Sequence, residues 1–133
     1  MTPGELFYWP EHEFDDGGTS NKLLVILNYQ RNGIHLAVLT TSQSNQRWSE
    51  KEGCDIEREV FCILKNTHNF SRSTWLQLYR VKEYEVDYLE NMVIKRRIKS
   101  LRQLSEQLLR AIINCYRKTD SFSQFHDWLL EDP

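Results

Sequence analysis

Lys22 opens an apolar run, Leu23-Leu24-Val25-Ile26-Leu27, that closes on Asn28, and a second run, Ala37-Val38-Leu39, ends in Thr40-Thr41-Ser42-Gln43. An ammonium, hydroxyls and amides at the ends of buried β-type runs point to a site, because the strands deliver them together to one edge of a sheet. Lys22, with an ordinary pKa of about 10.4, is a charge clamp or an acid at neutral pH, not a base. Thr41 and Ser42 offer hydroxyls that donate and accept. Asn28, Gln43 and Gln77 carry amides with both a donor and an acceptor. Trp48, between Arg47 and Ser49 in a polar stretch, is the tryptophan least explained by packing, and it reads as a platform for an unpaired base.

The other ionisable groups read as structure rather than chemistry. Asp15 and Asp16 fall in a polar stretch from Glu11 to Asn21, where capping a turn or facing solvent is favoured over general-base work. His12, His35, His68 and His126 are dispersed, without a second His or Cys at ligand spacing, so no metal and no cofactor is expected. His68, beside Asn69, is read as a surface-loop histidine. Lys95, Arg96, Arg97, Lys99 and Arg102 form one dense basic run, read first as a solvated face and second as a place for phosphates or an acidic partner. The net charge of the whole chain is −2, which excludes a dedicated duplex binder held by a global basic excess. Any contact with nucleic acid must be local.

These groups need a frame. A chain of 133 residues, 40% hydrophobic and 27% charged, suits one domain with its own core. All 5 glycines lie at or before Gly53, and neither Gly nor Pro occurs from Cys54 to Asp132, so a turn-rich β part should precede a helical end. Strands are expected at Glu5 to Trp9, closed by Pro10, at Lys22 to Leu27, and at Ile34 to Thr40, its hairpin partner across Asn32-Gly33. Further strands are expected at Val60 to Leu64, Ser73 to Leu78 and, more weakly, Arg80 to Val86, with Ser42 to Cys54 a polar loop. Five or six short strands imply a small barrel.

Leu101, Leu104, Leu108, Ile112 and Cys115 recur at helical spacing, so an amphipathic helix starting at Ser100 or Ser105 should pack on that barrel. Ser121-Phe122-Ser123-Gln124 has capping-box spacing and announces a short helix that turns Phe122, Phe125, Trp128 and Leu129 inward. The barrel and its closing helix would span 1–118, and 119–133 would be a helical extension of the same domain. Three cysteines, Cys54, Cys62 and Cys115, fit neither an even disulfide set nor a zinc spacing, and they read as reduced thiols. With no leader-like start and no apolar stretch near the roughly 20 residues that span a bilayer, the expectation is a cytoplasmic protein without membrane contact.

Taken in order, the segments resemble the MazF/PemK family of toxin ribonucleases from bacterial toxin–antitoxin pairs. Pro3-Gly4-Glu5-Leu6 is similar to the family's first strand, and Lys22-Leu23-Leu24-Val25-Ile26-Leu27-Asn28 sits where the family has Arg-Pro, an apolar run and a Ser or Asn. Leu39-Thr40-Thr41-Ser42-Gln43 sits where it has Pro-Ile-Thr-Ser and a long polar residue. Ser73-Thr74-Trp75-Leu76-Gln77-Leu78 resembles the strand after its variable region, and Lys99 to Leu108 its closing helix start. The resemblance runs from residue 3 to residue 117. It implies an SH3-like barrel, a symmetric homodimer, metal-independent cleavage of single-stranded RNA by 2′-OH attack, and silencing by a small antitoxin. By the same resemblance Lys22, Thr41 and Ser42 would be catalytic, with Asn28, Gln43, Trp48 and Gln77 on the RNA. Two departures stand out: Lys22 replaces the family arginine and Leu23 the following proline. A lysine keeps the charge but lacks the planar fork that holds a phosphate bidentately.

Overall fold

The computed structural model describes residues 1–13, 18–42 and 48–131. Among the described residues the chain is mainly β, with three α-helices that come late in the sequence. Eight strands, β1 (Glu5–Glu13), β2 (Thr19–Ile26), β3 (Ile34–Thr41), β4 (Gly53–Asp55), β5 (Val60–Ile63), β6 (Thr74–Gln77), β7 (Lys82–Glu85) and β8 (Lys99–Gln103), make one antiparallel sheet. Its order is β4-β5-β6-β3-β2-β1-β8, and β7 pairs with the first half of β3 while β6 pairs with its end. The sheet therefore forks at β3. Its outer strands β4 and β8 do not pair with each other among the described residues, so the sheet is open.

The hairpin β2–β3 turns where Asn32 and Gly33 both take positive φ, 54° and 75°, and Arg31 and Ile34 exchange backbone hydrogen bonds of 3.1 and 3.0 Å. That is the two-residue turn whose twist matches paired strands, and Asn-Gly is the dipeptide that tolerates it. β1 runs on past its expected stop. Pro10 stays inside the strand because it falls in the register shift between Trp9 and His12, where a missing N–H interrupts the ladder least.

Both faces of the central strands are buried, which is why their sequences read as continuous apolar runs instead of alternating ones. On one face Leu6, Val25, Leu27, Leu36, Val38 and Leu76 pack with residues of α2 (Glu106–Arg117) and α3 (Gln124–Leu130). On the other, Phe7, Trp9, Leu24, Ile26, Ala37 and Leu39 meet Leu89 and Met92 of α1 (Val86–Ile94), a helix that no sequence signal announced.

Of the two proposed starts for the long helix, Ser105 is the cap: its side chain accepts from the Leu108 N–H at 3.1 Å. Ser100 and Leu101 belong instead to β8, with Leu101 exposed. α3 is capped by Ser123, not Ser121, so Leu129 and His126 turn inward while Phe125 stays exposed. Residues 119–131 are tied to the rest by Asn28 and by a chain in which Tyr116 meets His126 Nδ1 and His126 Nε2 donates to Glu83 Oε1 at 2.7 Å.

The cysteines differ from expectation. Cys54 on β4 and Cys115 on α2 form a disulfide, their Cα atoms 5.5 Å apart, and Cys62 is the buried free thiol. An odd count leaves room for one pair and one remainder. Partners separated by 61 residues are chosen by how the helix lies on the sheet, which spacing along the chain does not reveal. The bridge also removes the argument for a cytosolic location that three free thiols supplied. No helix among the described residues is long and apolar enough to cross a membrane.

Candidate functional site

The register of the sheet builds the site. Trp9 pairs with Lys22, Leu24 with Leu39, and Thr41 with Trp75. Continuing the β2–β3 register two residues past Leu24 puts Lys22 opposite Thr41, so Trp9, Lys22, Thr41 and Trp75 form one row across four strands. Residues directly opposite in an antiparallel sheet project to the same face. The row lies on the α1 face.

At this end of the hairpin a pocket of about 320 Å³ is lined by Lys22, Thr41 and Ser42 together with Tyr8, Asn21, Leu23, Thr40, Arg72 and Thr74. The three residues assigned to chemistry from sequence thus share one cavity. Lys22 is half-buried; burial first, and the Arg80 guanidinium second, hold its pKa below the ordinary lysine value. Arg72, exposed just before β6, brings a planar guanidinium to the same cavity.

Asn28 is elsewhere. β2 and β3 are antiparallel, so the residue that ends the first run lies at the opposite end of the hairpin from the one that begins it. Asn28 is buried there; its Nδ2 donates to Leu129 O at 3.0 Å, and its Oδ1 accepts from the Leu36 N–H at 2.8 Å. Its amide fastens α3 to the hairpin and is committed to backbone. Gln77 and Trp48 gather at Trp75, on the same face but outside the cavity. Gln77 Nε2 donates to Tyr79 Oη at 2.9 Å, and the Trp48 ring lies 6.1 Å from Trp75 and 6.5 Å from Tyr79. Gln43, Asp15 and Asp16 lie outside the described residues. His68 is exposed, 3.7 Å from Glu52.

Sequence reading missed Tyr8, Arg72 and Thr74. Their signal was positional: once β3 is laid against β6, Thr41 opposite Trp75 brings Ser42 beside Thr74, and Arg72 follows. No group of three or more His, Cys, Asp or Glu among the described residues is arranged to hold a metal ion. Two cations and a set of hydroxyls in one cavity are suited to a phosphodiester, which offers negative oxygens to both. Comparison with known proteins found no matching family model, no matching curated protein and no matching solved structure.

Proposed function

We propose that this protein is a toxin-like endoribonuclease that cuts single-stranded RNA without a metal ion. The observation that supports it is the meeting of Lys22, Thr41, Ser42 and Arg72 around one cavity. In this reading the ribose 2′-OH attacks the adjacent phosphorus, the P–O5′ bond breaks, and the products are a 2′,3′-cyclic phosphate and a 5′-hydroxyl. The 2′-OH proton passes to solvent, and the leaving oxygen takes a proton from the Lys22 ammonium. Thr41 and Ser42 donate to the non-bridging oxygens as charge grows on them. Arg72 supplies the flat bidentate fork that Lys22 lacks.

The resemblance that motivates the reading carries further expectations with it: the open sheet as a variant of the SH3-like barrel, a symmetric homodimer, an antitoxin whose flexible segment fills the RNA groove, and work on messenger RNA in the cytoplasm. The substitution of lysine for the family arginine favours one rival, a diverged barrel that binds nucleic acid or protein without cutting.

The test is cleavage of a mixed single-stranded RNA pool in EDTA, with the ends of the products identified. Wild type should yield cyclic phosphate ends, and Lys22→Ala or Arg72→Ala should each lose about 10²-fold to 10³-fold, the effect of removing one preorganised donor. Wild type and Lys22→Ala equally inert, with Lys22→Arg gaining cleavage, would establish the rival.

A further inference from the structure

Beside the Lys22 cavity lies a larger cleft of about 700 Å³ between β1, β7 and α1. Its walls include the aromatic residues Trp9, Tyr84 and Tyr88 and the cationic residues Lys82, Arg96 and Arg97. The tyrosine rings are stacked, 6.1 Å apart and 12° from parallel, and Trp9 lies 6.1 Å from Tyr84. Tyr88 is 47% exposed, so a ring at the outer end of the stack is open to solvent.

The backbone that carries the cations is hydrogen-bonded. α1 ends with the Lys95 N–H donating to Asn91 O at 2.9 Å, Arg96 to Val93 O at 3.0 Å and Arg97 to Met92 O at 2.8 Å, with Arg96 at φ 58°. This tight turn places Arg96 and Arg97, both exposed, in the cleft wall at the carbonyl end of a helix, where positive charge is favoured. The basic run that reads as a solvated face in sequence is divided by the fold. Ile98 is buried and Lys99 and Arg102 lie in β8, while Arg96 and Arg97 line the cleft.

We propose that this cleft binds one nucleotide of single-stranded RNA flanking the scissile bond, its base stacked on Tyr88 and its phosphate on Arg96 and Arg97. Aromatic faces lining the same cleft as two arginines match a base joined to a phosphate, and neither feature alone would select that ligand. The volume is within the range of pockets that enclose a small ligand. Glu13, also in the wall, can accept from an exocyclic amine of the base. Trp9 of the cleft is the cross-strand partner of Lys22 of the first cavity, so one pair of neighbouring residues links the two. Arg80 acts electrostatically on both Lys22 of the first cavity and Tyr84 of the cleft.

The proposal rests on the RNA-cleaving reading for which way the strand runs, and its test does not use cleavage. Binding of a short, fluorescently labelled, fully 2′-O-methylated RNA is followed by anisotropy across a salt series, so the probe cannot be cut. Tyr88→Leu should weaken binding about tenfold, within the range of one lost base stack. Arg96→Asn, which keeps a residue tolerant of positive φ, combined with Arg97→Gln should weaken binding and reduce the salt slope by about 0.7 for each phosphate no longer neutralised. Thermal melts coincident with wild type show that the variants are folded. If wild type binds and neither variant changes affinity or slope, the cleft is not the site and the nuclease reading stands untouched. No binding by wild type overturns the cleft as well. Binding that depends on the cleft in a protein that never cuts RNA retires the nuclease and leaves the cleft in place.

Discussion

Lys22 shows how a single side chain takes its properties from the row it stands in. A lysine at a strand end in water keeps its charge until far above neutral pH, but here burial and the Arg80 guanidinium both disfavour the ammonium. If the protonated form serves the reaction, activity must fall as pH rises through a value below the usual lysine range. Arg80→Gln removes the second cause and should move that alkaline limb upward in a pH profile of kcat/KM on single-stranded RNA. An unmoved limb would show that another group titrates. The same scale explains what sequence could and could not reveal about the site. That Lys22, Thr41 and Ser42 gather at one end of the hairpin was legible because apolar runs fix where the strands end. Asn28 looked equivalent in composition, yet its amide is committed to Leu129 and Leu36, and an amide that serves backbone is spelled like one that serves a ligand. Arg72 was invisible for a different reason, since its contribution depends on a β3–β6 register that no local pattern encodes.

Among the elements, those with a local code were the ones foreseen. Asn-Gly set the β2–β3 hairpin, and Ser105 with its i,i+3 and i,i+4 apolar positions set α2. α1 escaped because Val86 to Ile94 packs only Leu89 and Met92 inward and carries exposed Val93 and Ile94, a weak stripe that resembles a strand continuation. β4 and β8 escaped because edge strands of three and five residues are polar and short. β4 nonetheless carries a structural duty, for its Cys54 anchors α2 through Cys115. Closing a loop across 61 residues restricts the unfolded chain by roughly 4 kcal/mol in the chain-entropy account. Cys54→Ser with Cys115→Ser, or reduction with dithiothreitol, should therefore lower Tm by roughly 10 °C or more, read by circular dichroism. Cys62→Ser, in a buried position, leaves the bridge intact and serves as the comparison. A melt indifferent to reductant would mean that packing alone holds α2 on β4. The result also bears on where the protein works, because a fold that needs this bridge is poorly suited to a reducing cytosol.

For the molecule as a whole, the sheet buried on both faces is the controlling feature. It explains the long apolar runs, it separates the α2–α3 core from the α1 core, and it sets the row Trp9, Lys22, Thr41 and Trp75 on the α1 side. A net charge of −2 means that any hold on RNA must come from a local patch and not from the overall field, so binding should be salt-sensitive yet confined to few phosphates. The two-sided burial also sets the response to acid. His35 lies on β3 opposite Tyr84, 2% exposed, with Nδ1 3.2 Å from the Asn28 carbonyl, so Nδ1 carries the hydrogen and donates. Burial, the largest influence, lowers its pKa from 6.5, although the Asn28 carbonyl pulls the other way. The unfolded chain then takes up a proton at this histidine at a higher pH than the folded one does. Its binding of more protons makes the folded state lose stability as pH falls below 6.5, and the loss ends once the folded state protonates too. Urea unfolding at a series of pH values should show stability declining through that window, and the decline should shrink in His35→Gln, whose amide can still donate to Asn28 O. If His35→Gln keeps the full acid dependence, the proton uptake belongs to other groups and His35 is silent in the global equilibrium.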